Sequence, residues 1–225
     1  MITIHQPNFL PYPGFFNKVK HSDIFVIYDT AQYVKGRWDN RNRLRNKSNQ
    51  IYLTIPIEDK SSFKFMFLDV NLPKSEIWKN KHLKSIHFNY SRAPFYGDYI
   101  DDIEKLYCVN TQSLSEFNIG FIKYFASMLD IKTKIILASD LDIASSKKSS
   151  DALIDIAKSL GSKTYLSGPS GRDYLDFTKF EKEGIDVKIQ DYKMKPYYQV
   201  HGEFIPNLSF LDMLLNVGPD SRYLI

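Results

Sequence analysis

The chain has 225 residues, enough for one large domain or two small lobes to bury a core without a disulfide or metal staple. A net charge of +4, from 30 Lys and Arg against 26 Asp and Glu, excludes the dense one-sign surface of a dedicated nucleic-acid binder and leaves an anionic small molecule as an easy fit. One cysteine, Cys108, excludes an internal disulfide, and no apolar run approaches the ~20 residues of a membrane helix, so a reducing cytoplasm is expected.

The sequence opens directly on a strand pattern, Met1 to His5, with no charged and apolar leader before it. Gln6 to Pro13 is a turn carrying three prolines, and Gly14 to Lys20 winds into a short helix. Asp23 to Tyr28 is a continuous apolar strand of the kind buried on both faces of a parallel sheet. Asp29 to Gln50 reads as irregular and polar, and Ile51 to Ile57 and Phe63 to Val70 as two strands paired through Glu58 to Ser62. From Ser75 to Asp130 apolar residues recur at helical spacing, predicting three helices broken near Ala93-Pro94 and Asn110. Then come a strand at Lys134 to Leu137, a helix from Ser149 to Leu160 closed by Gly161, a strand at Thr164 to Leu166, a Gly-Pro-Ser-Gly turn, a short helix and a strand at Ile185 to Ile189. The predicted fold is a single α/β domain over 1–225, a mainly parallel sheet with helices on both faces and a helical section at about 75–130 packed on it.

Three polar clusters carry candidate chemistry. The first, His5-Gln6-Pro7-Asn8, follows the first strand, where open α/β sheets bind ligands; His5 offers proton transfer, and Gln6 and Asn8 offer uncharged amides. The second is Lys35, Arg37, Trp38, Asp39, Asn40, Arg41, Asn42 and Arg43: arginine forks match phosphate, asparagines read sugar or peptide groups, and Trp38 can stack on a base or sugar ring. The third is Ser167-Gly168-Pro169-Ser170-Gly171-Arg172 with Tyr174, a small-residue turn that admits close backbone approach, hydroxyl contacts to phosphate and an arginine charge. Its spacing is neither a P-loop nor a dinucleotide fingerprint. Asp29, after the second strand, could hold a divalent cation. His82 and His87, five apart, cannot share a helical metal face, so no zinc site is expected. Cys108 reads as a small buried residue, and Ser209 with Asp212 as a capping box.

Together these residues resemble the WbqC-like family. The resemblance rests on His5-Gln6-Pro7-Asn8-Phe9-Leu10-Pro11 with Gly14-Phe15-Phe16, Asp29, Gln32-Tyr33, Lys35, Trp38 to Arg43, Thr54-Ile55-Pro56, Trp78-Lys79 with His82, Tyr165 to Gly168, and Pro206 to Asp212. It runs nearly end to end; Asp39 departs from the amide or small polar residue expected there. The resemblance implies a place in bacterial O-antigen or other surface polysaccharide biosynthesis more firmly than it implies a reaction. The leading expectation is an enzyme, a ligase or transferase, that modifies a nucleotide-linked amino sugar, for example by attaching an acyl or aminoacyl group to its amine; its cofactors are left open, with ATP and Mg²⁺ the candidates. His5, Lys35 and Arg41 would be catalytic, and Gln6, Asn8, Asp29, Arg37, Trp38, Asn40, Asn42, Arg43, Ser167, Gly168, Ser170, Arg172 and Tyr174 would bind substrate or nucleotide. The alternatives are a glycosyl- or nucleotidylyl transferase of the same pathway, and a protein that binds RNA or aminoacyl-tRNA.

Overall fold

The computed structural model describes residues 1–57, 65–143 and 149–225. In chain order the elements are β1 (Ile2–His5), α1 (Pro13–Lys20), β2 (Ile24–Ile27), β3 (Arg41–Arg45), β4 (Gln50–Thr54), α2 (Ile77–Tyr90), α3 (Tyr96–Tyr107), α4 (Leu114–Met128) and β5 (Lys134–Leu137). They continue with α5 (Ser150–Ser159), β6 (Thr164–Ser167), α6 (Gly171–Tyr174), α7 (Phe177–Lys182), β7 (Asp186–Ile189) and α8 (Phe210–Val217). The chain divides into two compact units, the first made of Met1–Gln6, Asn17–Ala31 and Ile131–Lys193, the second of Pro7–Phe16, Gln32–Asp130 and Met194–Ile225.

The first unit is a five-stranded, all-parallel sheet of order β5-β2-β1-β6-β7. The apolar runs Ile24 to Ile27 and Ile135 to Leu137 form strands because β-branched residues fit a pleated surface covered on both sides. One face of the sheet, through Ile2, Ile4, Val26 and Tyr165, packs against Leu153, Ile156 and Ala157 of α5 and Phe180 of α7. From β1 the chain builds outward through β2 to β5, then returns to β6 on the other side of β1. The direction of winding therefore switches between β1 and β6, and their carboxyl ends border the crevice where doubly wound sheets bind ligands.

The second unit holds the antiparallel hairpin β3-β4, the three predicted helices α2 to α4, and α8. Its interior is aromatic: Phe9, Trp78, Tyr107, Phe117, Phe121, Phe125 and Phe210 meet edge to face or tilted within about 6 Å. Asp212, 0% exposed, accepts hydrogen bonds from the Tyr90 hydroxyl at 2.6 Å, the Tyr197 hydroxyl at 2.6 Å and Gln199 Nε2 at 3.0 Å.

Several expectations are corrected here. The irregular stretch before Gln50 contains β3, and β4 pairs with it rather than with Phe63 to Val70. Alternation was hidden because the inward positions of β3 include Asn42 as well as Leu44. Phe67–Asp69 is a 3₁₀ turn, and residues 58–64, where the other pairing would turn, lie outside the described residues. Cys108 is exposed at the C-terminus of α3 rather than buried, since Ile103 and Tyr107 occupy that helix's inner face. Ser209 does cap α8, accepting from Leu211 N, but the Asp212 carboxylate turns inward to the two tyrosines instead of completing a capping box.

Candidate functional site

At the carboxyl edge of the parallel sheet, β1 ends on His5, half-buried with Nδ1 3.0 Å from Gln6 O. Burial, aided by the nearby Lys18 ammonium, pushes the imidazole down to about 3, so His5 is neutral at physiological pH. Asp29, just past β2, is buried, and its two carboxylate oxygens accept from Ser139 N at 3.0 Å and Ser139 Oγ at 2.6 Å. Ser167 ends β6 and is buried; Gly168 is half-buried, and Ser170, Arg172 and Tyr174 are exposed on the following turn. Gly171 is required there because a Cβ would meet Ser167 Oγ at 2.2 Å and Leu175 at 2.9 Å. Beyond β7, Gln190 Nε2 donates to Asn17 Oδ1 at 2.6 Å. The topology thus gathers His5, Gln6, Asp29 and the Ser167–Ser170 turn at one edge of one sheet.

In the second unit, the β3-β4 register puts Arg41, Arg43 and Arg45 on one face with their partners Thr54, Tyr52 and Gln50, while Asn42 and Leu44 face inward. The three guanidiniums differ in how far the fold already occupies them. Arg45 is buried and donates to the carbonyls of Asn46, Asn49 and Glu203. Arg43 donates to Gln50 Oε1 at 3.2 Å and Asn207 O at 2.9 Å, and lies 5.4 Å from the centre of the Trp38 ring. Arg41 rests 4.8 Å over the Tyr52 ring and has no hydrogen-bond partner among the described residues; its Nε is buried. Trp38 and Tyr52 are 43% and 48% exposed. A half-buried guanidinium with unused donors over one aromatic ring has the chemistry to receive an anion.

Other predicted residues have partners inside the fold. Lys35 Nζ donates to Ile57 O at 2.9 Å, and Arg37 is exposed. Asn40 accepts from Gly36 N and donates to Ile55 O. Asn42 donates to Phe9 O at 3.1 Å and Leu10 O at 2.7 Å and accepts from Arg43 N, tying the Pro-rich turn, where Leu10 has a positive φ of 43°, to the hairpin. Asn8 is buried. Asn42→Ala leaves two buried carbonyls without their donor and is expected to cost about 2 kcal/mol or more, read as a lowered urea midpoint. Asp39, where the sequence departs from the resemblance, is buried; burial raises its carboxyl to about 6, against a hydrogen bond from Val34 N at 3.0 Å.

Sequence reading missed Lys18, which is 3% exposed within α1 and electrostatically coupled to His5. The signal was present: three and four residues after Phe15 and Gly14, it falls on the buried face of a short helix. It also missed Tyr52, whose place opposite Arg43 follows only from the hairpin register. Among the described residues, no group of three or more His, Cys, Asp or Glu side chains gathers as a metal site, and no helix is long and apolar enough to cross a membrane.

Residues 6–223 match the model of the WbqC-like protein family. A relative from Mycobacterium tuberculosis (strain ATCC 25618 / H37Rv), named uncharacterized protein Rv1507c, is 31% identical over 222 residues, covering 98% of this chain and 95% of its own length. No solved structure matches. With nearly the whole chain inside the family's pattern, this protein belongs to the WbqC-like protein family.

Proposed function

We propose that this protein is an enzyme of bacterial surface polysaccharide biosynthesis that modifies a nucleotide-linked amino sugar, forming an amide between an acyl or aminoacyl group and the sugar amine. The observation that carries the reading is Arg41: a guanidinium with no hydrogen-bond partner among the described residues, over the half-exposed ring of Tyr52, on the strand whose Arg43 lies against Trp38. A nucleotide diphosphate supplies the anion that Arg41 lacks, and its base or sugar supplies a face for the aromatic rings. In the sheet unit, His5 stands at the switch-point edge, where a proton carrier would serve an amine that must lose a proton as it becomes an amide nitrogen. Driving amide formation from a free acid requires activation, which is the role ATP with Mg²⁺ would have.

The test is calorimetric binding of UDP- and dTDP-amino sugars, ATP and RNA, each with and without Mg²⁺, followed by turnover of whichever sugar binds. Arg41→Ala is expected to weaken nucleotide-sugar binding about 10- to 100-fold with an unchanged unfolding midpoint, the loss of one or two charge-assisted hydrogen bonds. His5→Ala is expected to bind normally and to lose turnover. Unchanged affinity in the first variant and unchanged turnover in the second would overturn the reading, and RNA affinity that falls steeply with salt would transfer Arg41 to a phosphate backbone instead.

A further inference from the structure

Within the second unit, the end of β4 and the first two turns of α2 enclose a cavity of about 410 Å³, a volume in the range of small-molecule sites. It begins where the arginine strip of β3 ends, because Arg41 is the register partner of Thr54, which lines it. Part of the lining is apolar: Pro56, Pro73, Ile77 and Trp78. The polar groups differ in what the fold leaves them free to do. His82 is fully used, its Nε2 donating to Thr54 O at 3.1 Å and its Nδ1 accepting from the Tyr107 hydroxyl at 3.1 Å. Ser75 Oγ accepts from Ile77 N at 3.5 Å. Lys81, by contrast, is exposed and has neither an ion pair nor a hydrogen-bond acceptor among the described residues, whereas Lys79 on the same helix pairs with Glu76 at 2.8 Å. Trp78 is 5% exposed, and its indole Nε1 is a buried donor without an acceptor.

A packing role does not explain this set. A buried indole N–H ordinarily finds a partner, and each buried group left without one calls for a reason. The groups left unpaired are all donors: the Lys81 ammonium, the Trp78 indole and, on the strand beside Thr54, the Arg41 guanidinium. No acidic side chain lines the cavity. Donors of this kind recognise a group that only accepts, such as an ionised acid. Inorganic phosphate would match the donors and leave the apolar lining bare, and a nucleobase would cover the apolar lining and bring no charge to Lys81. A carboxylate on an apolar body meets both halves.

We propose that this cavity binds a small carboxylic acid, its carboxylate held by Lys81 and its apolar body lying against Pro56, Pro73, Ile77 and Trp78. The N-terminal turn of α2, from which Ile77 and Trp78 line the cavity, adds the positive end of a fourteen-residue helix dipole in favour of the anion. Naming that acid the acyl donor rests on the amide-forming reading, in which it would lie beside a nucleotide sugar held by Arg41. The binding itself does not depend on that reading.

The test titrates the intact, isotope-labelled protein with benzoate and hexanoate and follows the indole N–H signals of its two tryptophans, Trp38 and Trp78, by NMR, assigned with Trp38→Phe. Both acids are expected to move the Trp78 signal saturably. Benzamide and hexanamide, which keep the body and lose the charge, should bind at least about tenfold more weakly, the loss of one charged contact. Lys81→Gln, an exposed substitution, should weaken both acids by a similar factor, and Lys84→Gln, on the same helix but outside the cavity lining, should not. The proposal is overturned if the Trp78 signal stays still up to about 10 mM acid, weaker than a formed pocket holds a ligand of this size. Amides that bind as well as the acids, a Lys81→Gln variant equal to the parent, or inorganic phosphate that binds as well as benzoate would overturn it too. Displacement of benzoate by UDP or ATP would give the cavity to a nucleotide instead. Acid binding retained in a protein that binds no nucleotide sugar would sink the amide-forming reading and leave this site standing.

Discussion

Asp212→Ala is expected to lower stability by about 3 to 5 kcal/mol, the range for removing one partner of a buried, charge-assisted network. The Asp212 carboxylate is the common acceptor for Tyr90, Tyr197 and Gln199, and Tyr90 in turn accepts from the backbone N–H of Arg45 at 2.7 Å, so the deletion takes the acceptor from three donors on two separate segments. Leaving buried donors unmade costs more than the bonds contribute on balance. Asp212→Asn keeps one acceptor oxygen but turns an amide N–H₂ toward another donor, so an intermediate loss is expected. Urea unfolding of both variants checks this. An alanine variant within about 1 kcal/mol of the parent would mean that the tyrosines find other acceptors.

Lys18→Met is expected to change the pH dependence of stability. Burial lowers the amine from 10.5 to about 7 in the folded chain. Between those values the unfolded state holds a proton that the native state does not, so native stability must rise with pH across that window and fall as the amine is protonated toward pH 7. The limiting slope is about 1.4 kcal/mol per pH unit, the free energy of one proton. Methionine removes it, so unfolding midpoints of the parent and the variant should diverge between pH 7 and 9.5, with the parent gaining relative to the variant. Parallel curves would show that Lys18 is as well solvated folded as unfolded. His5 works in the opposite part of the scale: its imidazole is pushed down to about 3, so its neutral form supports the fold above the ordinary histidine range, and that support is lost as pH falls from 6.5 toward 3.

The parallel sheet was legible because its strands are short apolar runs, such as Ile24 to Ile27, and the breaks between helices were legible at Ala93-Pro94 and Asn110. The hairpin was not. A strand with Arg41, Arg43 and the buried Arg45 on one face and an asparagine on the other has no apolar period, and only the folded hairpin reveals which arginine is left without a hydrogen-bond partner among the described residues. The same blindness applies to amides: a sequence cannot distinguish an asparagine that faces a ligand from one that, like Asn42, holds two carbonyls of a turn. Charge has the same ambiguity. Lys18 is legible only through its helical spacing from Gly14 and Phe15, because burial depends on which helix face meets the core and an eight-residue helix offers a single repeat of that spacing.

The two compact units are interleaved along the chain, which passes between them after Gln6, Phe16, Ala31, Asp130 and Lys193. Neither unit can therefore be cut out as a contiguous fragment, and a cut after Phe16, Ala31 or Asp130 splits both. During synthesis, β1 and β2 emerge early, but their sheet gains β5 only after the helices α2 to α4 have been made, and β6 and β7 later still. The strands that carry His5 and Asp29 must wait, half-paired, through the translation of more than a hundred residues. Exposed parallel edges of this kind are the species that aggregate or recruit chaperones, so the yield of soluble protein should respond to elongation rate more strongly than its final stability would suggest.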